Sequence, residues 1–469
     1  MADQQEIDIL IIGSGEAGKH LAWRMAKAGR RTVVVERALI GGSCPNIACL
    51  PSKNVIHSAK VADYIRHAAD FGMTTGTLKV DMVGVRSRKR RMVDSEIADH
   101  LNLYKTTGGE LLLGEARFLA PKTVEVQTKE GAKKVLTGNQ VFLNVGTHAA
   151  IPDTPGLRAA KPMTHVEALE LDRVPEHLVV IGGGFVGLEM AQAMRRFGSR
   201  VTVLERGPQL TSHEDPDVAE GLQNLFRDEG IEVLLGTDLL EVQGTSGQKV
   251  KLRVRDSRGE HRVEASDVLV AAGRIPNTQG LALEKTGVEL DQRGYIRVNE
   301  RLQTTAPGIW AMGECAGSPQ FTHISFDDFR VVFDNLNGGN RTTTGRMVPF
   351  CLFTDPELAR VGLTESEARQ RGIAYRLAKI PMIAVLRTHT LSETRGFLKA
   401  LVRTDSDEIL GFTAFGTQAG EMMAVVEMAM IAKLPYTALR DAVLTHPTMA
   451  EGLNVLFAAV QARSRAGAG

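Results

Sequence analysis

Cys44 and Cys49 are separated by four residues inside Gly41-Gly42-Ser43-Cys44-Pro45-Asn46-Ile47-Ala48-Cys49-Leu50-Pro51-Ser52-Lys53, a segment rich in helix-breaking residues. A regular α-helix rises about 7.5 Å over five residues, whereas a disulfide asks for Cα atoms about 4.4–6.8 Å apart. The pair therefore closes only across an irregular first turn, and Gly41, Gly42 and Pro45 are expected to supply it. A bridge so short and local is strained and easily reduced, which suits a working disulfide better than a structural cross-link. Two unrelated buried cysteines, or half of a zinc site, are the alternatives that the spacing leaves open.

The rest of the composition narrows the chemistry. Only four cysteines occur in 469 residues, far from a secreted disulfide scaffold, and in a reducing compartment a close pair is catalytic or metal-binding more often than structural. Lysine and arginine number 56 against 55 acids, a formal net charge of +1, so there is no electrostatic case for nucleic acid or a membrane surface. The basic run from Arg86 to Arg91 lies in a helical pattern that also carries acids, and it reads as a solvated helix face. The chain starts acidic and leads straight into a strand pattern, without a basic region followed by a long apolar one. No stretch of about 20 uninterrupted apolar residues occurs, so the expectation is a cytoplasmic chain.

Electrons must reach such a disulfide from somewhere, and two glycine turns supply the means. Residues 7–13 form a buried-strand run, Gly13-Ser14-Gly15-Glu16-Ala17-Gly18 opens a helix, and a second strand from Thr32 ends at Glu36. Glycines of this kind let the backbone approach a pyrophosphate at a helix N-terminus, and an acid ending the next strand takes ribose hydroxyls. Residues 178–187 repeat the pattern with Gly182, Gly184 and Gly187, and the following strand runs into Glu205. The interval from first glycine to acid is 23 residues both times, Gly13 to Glu36 and Gly182 to Glu205, which predicts two dinucleotide sites.

Between and beyond these units the patterning predicts a helix over 81–107 and, over 110–144, two strands about a hairpin at Lys129-Glu130-Gly131. Pro152, Pro155 and Gly156 mark a crossover. A helix near Asp215–Glu229 and strands at 232–235, 249–255, 261–264 and 267–271 follow. From Pro349 the texture changes to antiparallel strands with helices near 364–371 and 419–433, an α+β layer. Two nucleotide sites plus a local disulfide describe a relay from nicotinamide hydride to flavin to sulfur, because a flavin bridges hydride and thiol chemistry.

At this point the chain resembles the class I pyridine nucleotide–disulfide oxidoreductases, which include dihydrolipoamide dehydrogenase, glutathione reductase and mercuric reductase. The motifs carrying the resemblance are the segment ending Cys49-Leu50-Pro51-Ser52-Lys53, both glycine turns, Ala272-Gly273-Arg274-Ile275-Pro276-Asn277, Gly313-Glu314, and His446-Pro447-Thr448-Met449-Ala450-Glu451. The fold this implies is α/β: two Rossmann-like domains and a C-terminal α+β dimerisation domain. Residues 1–150 and 274–345 would bind FAD, residues 151–273 NAD(P), and residues 346–469 would form the interface of a homodimer.

The resemblance also implies roles. Cys49 would face the flavin while Cys44 exchanges with substrate. His446, from the partner subunit, would be acid and base for Cys44, with Glu451 orienting it. Lys53 and Glu189 match positions that pair beside the flavin ring. Further cofactor contacts are implied at Gly13, Gly15, Gly18, Glu36, Gly42, Ser43, Gly146, Gly313 and Glu314, at Gly182, Gly184, Gly187 and Glu205, and at Gly273 and Arg274. Phe185 stands where relatives often carry a tyrosine lid over the nicotinamide pocket. A carboxylate at Glu205 repels the 2′-phosphate of NADP, so NAD(H) is favoured over NADP(H).

Departures from the family pattern bear on the flavin contacts: Asn144-Val145-Gly146-Thr147 replaces the usual Ala-Thr-Gly, Glu314 an aspartate, and Ala48 a glycine. A dithiol/disulfide oxidoreductase of the lipoamide dehydrogenase kind is the first expectation. An NADH-dependent mercuric or copper ion reductase using Cys44 and Cys49 as ligands is the second, and a flavin-based redox sensor the third. No resident metal site is read from the sequence, and Cys315 and Cys351 read as small buried hydrophobes.

Overall fold

In the computed structural model, which describes residues 4–462, the apolar run at Ile9–Ile12 lies buried in β1 (Gln4–Ile12). Near-continuous apolar strands are what a parallel sheet covered on both faces requires. The first glycine turn hands β1 to α1 (Glu16–Lys27), and β2 (Thr32–Glu36) returns parallel to β1 with Ile12 opposite Val35. The cysteines open two helices, α2 (Ser43–Asn46) and α3 (Cys49–Arg66), and α4 (Met82–Thr107) follows. β3 (Glu110–Ala120), β4 (Thr123–Thr128) and β5 (Lys133–Leu143) then form a meander. Two strands were expected here; a second turn at Pro121-Lys122, where Lys122 takes φ 61°, makes three. β5 also runs parallel to β1, with Ile12 opposite Leu143.

After β6 (Thr147–Ala149) and α5 (His165–Ala168) the pattern repeats as β7 (His177–Ile181), α6 (Phe185–Phe197), β8 (Arg200–Leu204), α7 (Pro216–Asp228) and β9 (Glu232–Leu234). β10 (Asp238–Thr245), β11 (Lys249–Asp256) and β12 (Gly259–Ala265) form an antiparallel meander, and β13 (Asp267–Val270) completes a parallel sheet of order β13-β7-β8-β9. β10 was missed because a register shift between Leu239 and Glu241 breaks its alternation. β14 (Arg274–Pro276) pairs with β6, and β15 (Ile309–Ala311) joins β5 in parallel, so the first sheet is finished by residues from beyond the second. α8 (Thr322–Leu336) shares a buried core with α1.

The last layer comprises β16 (Phe350–Leu352), β17 (Glu357–Gly362), α9 (Glu365–Gln370), β18 (Tyr375–Pro381), α10 (Leu386–Thr390), β19 (Phe397–Arg403), β20 (Ile409–Gly416) and α11 (Ala419–Ile431). Its antiparallel sheet has the order β16-β17-β20-β19-β18, with α11 sharing its core, and α12 (Tyr436–Arg440) and α13 (Gly452–Ala458) close it. The short tail after Ala462, composed of serine, arginine, alanine and glycine, lies outside the described residues.

Buried charges join the layers. Lys399, fully buried, reaches Asp215 at 2.8 Å, Asp217 at 2.9 Å and Glu365 at 3.3 Å, and Arg360 reaches Glu214 at 3.0 Å. Asp215, Asp217 and Glu365 are the carboxylates close enough together to hold an ion among the described residues, and the Lys399 ammonium stands on them. The basic run of α4 is the solvated face expected at Arg88, Arg90 and Arg91, but not at Lys89. Lys89 is 1% exposed and pairs with Glu170, which Arg90 also holds at 2.7 Å, so the run pins α4 to the crossover segment. Among the described residues no helix is long and apolar enough to cross a membrane.

Candidate active site

The irregularity between the cysteines falls elsewhere than expected. Pro45 lies inside α2, and Gly41 and Gly42, at φ 86° and 79°, precede it. The helical path breaks at Ile47 (φ −140°, ψ 3°) and Ala48 (φ −130°, ψ −104°), and Cys49 restarts it as the first residue of α3. Gly42 serves a different end: a Cβ there would stand 2.6 Å from the Cα of Gly15, so α2 closes directly on the first nucleotide turn.

Both cysteines are free thiols, partly buried and close enough that each acts on the ionisation of the other. They are not equivalent. The bond from Cys44 lowers the Cys49 thiol to about 6 against the effect of burial, aided by the Thr322 hydroxyl and the Lys53 charge. Cys44 moves the other way, raised by its bond to Cys49, by burial and by the charge on Cys49. The thiolate is the reactive form, so the pair carries its charge on Cys49. Cys315 is buried and pushed up to about 11, as expected of an inert thiol, whereas Cys351 is only partly buried, its thiol raised by burial.

Lys53 lies one helical turn beyond Cys49, and its Nζ donates to Glu189 on α6 at 2.7 and 3.0 Å. Glu189 is 6% exposed and also accepts the Phe353 N–H at 2.9 Å, while the Phe353 ring lies 4.7 Å beneath the Lys53 ammonium. His446 directs Nδ1 at Glu451, 3.0 and 3.1 Å from its two oxygens. The His446 side chain is 62% exposed and precedes α13 by a turn, so its ring projects outward from this subunit.

The two nucleotide turns match in detail. Glu36 accepts the Ser14 N–H at 2.8 Å, and Glu205 accepts the Gly183 N–H at 2.7 Å. The first-turn amides of α1 and α6 have no acceptor within their helices, and a Cβ at Gly13 would stand 2.4 Å from the Asn144 carbonyl oxygen. Glycine turns that lead into helix N-termini fit the diphosphate of a dinucleotide, although in the first of them the Gly18 N–H is already held by the Asn144 side chain. Glu36 is more heavily engaged than Glu205. It also accepts the Ser14 hydroxyl and the N–H groups of Ala38 and Leu39, so a ribose there must displace one of these donors, whereas Glu205 adds only the Gly207 N–H.

Gly146, Gly273-Arg274 and Gly313-Glu314 converge where the strands of the first sheet end. Glu314 folds back: it accepts the Thr147 hydroxyl and the Arg274 Nε–H, the latter at 3.1 Å. Asn144 accepts the Gly18 N–H at 2.9 Å and donates to the Met312 carbonyl at 2.8 Å. Phe185 rests against Phe350, ring centres 4.9 Å apart, and lines a cavity of about 670 Å³ bounded by Phe321, Arg346 and Arg360.

Sequence reasoning named none of Thr322, Phe353 or Ser14 as site residues. Thr322 and Phe353 reach the site from 273 and 164 residues away, which spacing along the chain does not signal.

Comparison with known proteins agrees with this geometry. The family model described as pyridine nucleotide-disulphide oxidoreductase matches residues 7–328, and that of its dimerisation domain matches residues 348–456. The "Probable pyridine nucleotide-disulfide oxidoreductase RclA" of Escherichia coli (strain K12) is 36% identical over 458 residues, 96% of this chain and 99% of that protein. The mitochondrial dihydrolipoyl dehydrogenase of Pisum sativum is 32% identical over 454 residues, 96% of this chain and 90% of its own length. The mercuric reductase of Staphylococcus aureus is 31% identical over 452 residues, 96% of this chain and 82% of its own length. Among solved structures, the Cu(II) complex of HOCl-induced flavoprotein disulfide reductase RclA from Escherichia coli matches with a TM-score of 0.89 at 33% identity, covering 97% of this chain and 100% of that one. This chain therefore belongs to the pyridine nucleotide–disulfide oxidoreductase family, as an FAD-dependent flavoprotein oxidoreductase whose C-terminal layer is the family's dimerisation domain and makes it a homodimer.

Proposed function

We propose that Cys44 and Cys49 are the redox-active pair of this enzyme and that it reduces a small disulfide, or oxidises the matching dithiol, at Cys44. The observation that carries this reading is the approach of the two thiols across the break at Ala48, near enough for Cys44 to lower the Cys49 thiol, with α2 closed on the first nucleotide turn. When bound, FAD supplies the exchange of two electrons between nicotinamide hydride and sulfur. Residues 1–150 and 274–345 hold it, with the first glycine turn on its diphosphate, and residues 151–273 hold the nicotinamide. Residues 346–469 pair the two copies.

The chain's own groups do the rest. Lys53, kept in place by Glu189, presents a cation one helical turn from Cys49 and stabilises negative charge there. Cys44 exchanges with substrate sulfur. His446 of the other copy takes and returns the Cys44 proton at Nε2, while Glu451 holds Nδ1 and the ring's orientation. Glu205 has acceptor capacity left for ribose hydroxyls and repels a 2′-phosphate, which favours NADH. The cytoplasm suits a dithiol that must be regenerated.

A metal ion is the second reading, favoured because relatives include a mercuric reductase and because the RclA structure is a Cu(II) complex. Two thiols in contact offer a soft cation a ready ligand pair. Anaerobic titration with NADH, followed by steady-state oxidation of NADH with lipoamide, with copper(II) or mercury(II), and with no acceptor, separates the readings. Turnover with lipoamide and a long-wavelength absorbance band on reduction are expected. Turnover with the metal ions alone assigns the second reading, and reduction without turnover by any acceptor assigns a sensor.

A further inference from the structure

Cys49 opens α3, the second glycine turn opens α6, and the two helices share a buried core. One face of α6 carries Glu189, Gln192 and Arg196 at helical spacing, all three buried and all three bonded to partners outside α6. Gln192 clasps the backbone of Asp355, between β16 and β17: it accepts the Asp355 N–H at 2.8 Å and donates to the Asp355 carbonyl at 2.9 Å. Arg196 donates to the Asp355 carboxylate at 2.6 Å and to Glu229, just beyond α7, at 2.7 and 3.1 Å, and Asp63 of α3 stands 3.5 Å from it. Lys60, one turn before Asp63, reaches the other Asp355 oxygen at 2.8 Å. Although burial disfavours its charge, Glu229 and Asp355 hold the Arg196 guanidinium firmly protonated. One side chain thus joins α3, the end of α7 and the C-terminal layer.

We propose that Arg196 is a positioning residue for the transfer of electrons to the cysteines: by tying the far end of α6 to Asp63 and Asp355, it sets where the near end places Glu189 against Lys53. The proposal rests on the reading of Cys44 and Cys49 as the redox pair served by Lys53. Glu189 and Arg196 lie two turns apart, about 10.5 Å along the axis. Two fixed points set the direction of a stiff helix, and one does not. Apolar packing adds little to that constraint, because α3 buries Pro51, Val55, Ala59 and Ala62, mostly small side chains. The planar guanidinium fork serves Glu229 and Asp355 at once, which the single ammonium of a lysine does not.

The test follows, in the FAD-loaded enzyme, how fast the long-wavelength band of the reduced cysteine pair rises after NADH is added. Arg196→Met removes the tie; Arg196→Lys keeps the charge without the fork and serves if the methionine variant loses its flavin. The limiting rate should fall about tenfold or more, since small displacements from a distant change are costly, while the half-saturating NADH concentration stays near that of the wild type. Exchange of chemically reduced Cys44 with a disulfide should be unchanged. On a Lys53→Gln background the same Arg196 substitution should slow the step by no more than about twofold further, because the two residues act through one contact. Losses that multiply across the two sites, a flavin-loaded variant as fast as the wild type, an equal loss in disulfide exchange, or loss of flavin from both variants overturns the proposal and leaves the redox pair standing. A wild-type enzyme in which electrons from NADH never reach the cysteines overturns the reading of the pair and the proposal with it.

Discussion

Lys53 is the residue through which charge at the sulfur centre is felt from outside it. Its ammonium is fixed by Glu189 and by the Phe353 ring, so it cannot swing away to solvent as a lone surface lysine would. Lys53→Gln should therefore slow the arrival of electrons at the Cys44–Cys49 pair after NADH is added at least tenfold in stopped-flow absorbance, because even about 1.4 kcal/mol of lost electrostatic stabilisation has that effect. Exchange of Cys44 with a disulfide, measured after prior chemical reduction, should change less. An equal loss in both half-reactions would place Lys53 in overall integrity instead. The cysteine spacing was legible in the residues themselves, whereas the Lys53–Glu189 and His446–Glu451 pairs were expected from the family resemblance, and the structure brings the members of each pair together. Glu314 was read as a departure from the family's aspartate, and it folds onto Arg274 and Thr147. The break at Ile47-Ala48 was not legible, since neither residue is a helix breaker and the distortion follows from closing α2 on Gly15.

Among the elements, the N-terminus of α7 is where the second nucleotide unit is fastened to the C-terminal sheet. Lys399 on β19 is itself fully buried and pairs with buried Asp215 and with the partly exposed Asp217 and Glu365. Lys399→Met leaves three carboxylates facing one another, and a broken buried ion pair costs about 3–5 kcal/mol. Urea unfolding at neutral pH should register a loss of that order. The loss should shrink in acid. Although burial opposes ionisation of Asp215, its bonds to Lys399 and to the Ser366 and Glu365 amides hold it down to about 2. A carboxyl lowered in the folded state contributes fully above its ordinary value near 4 and loses that contribution as the pH falls through about 2. The wild type thus gives up the interaction over this range, and the variant has none to give up; a deficit constant from pH 7 to acid would contradict the assignment. Helix and strand spans at the C-terminal sheet were legible from alternation and turn residues. The pairing of Lys399 with Asp215 across 184 residues was not, because a lone lysine in an apolar strand carries no mark of its partner.

For the whole molecule, the question is where His446 works. Its ring stands on the outer side of this subunit, held by Glu451 and 62% exposed, which leaves Nε2 accessible from outside the subunit. If Cys44 of one copy is served by His446 of the other, a hybrid dimer joining a Cys44→Ser copy to a His446→Ala copy has one complete site. Co-expression of the two inactive variants should then restore about a quarter of wild-type disulfide turnover, since about half the dimers are hybrids with one working site of two. Activity no higher than the sum of the two parent homodimers would place both groups within one copy. The order of the units was legible because the glycine turn and strand-end acid repeat at the same interval, a signal that survives without any knowledge of packing.

The placement of β15 has a consequence for how the polypeptide is made. The first sheet stays open beside β5 until residues 309–311 arrive, and the Asn144 side chain cannot complete its link from Gly18 to Met312 before then. The strands of the second sheet, in contrast, all lie between residues 177 and 270. On the ribosome the middle of the nascent chain can thus mature ahead of its beginning, and the amino-terminal portion waits, unfinished, for a late strand synthesised after its neighbour has already folded.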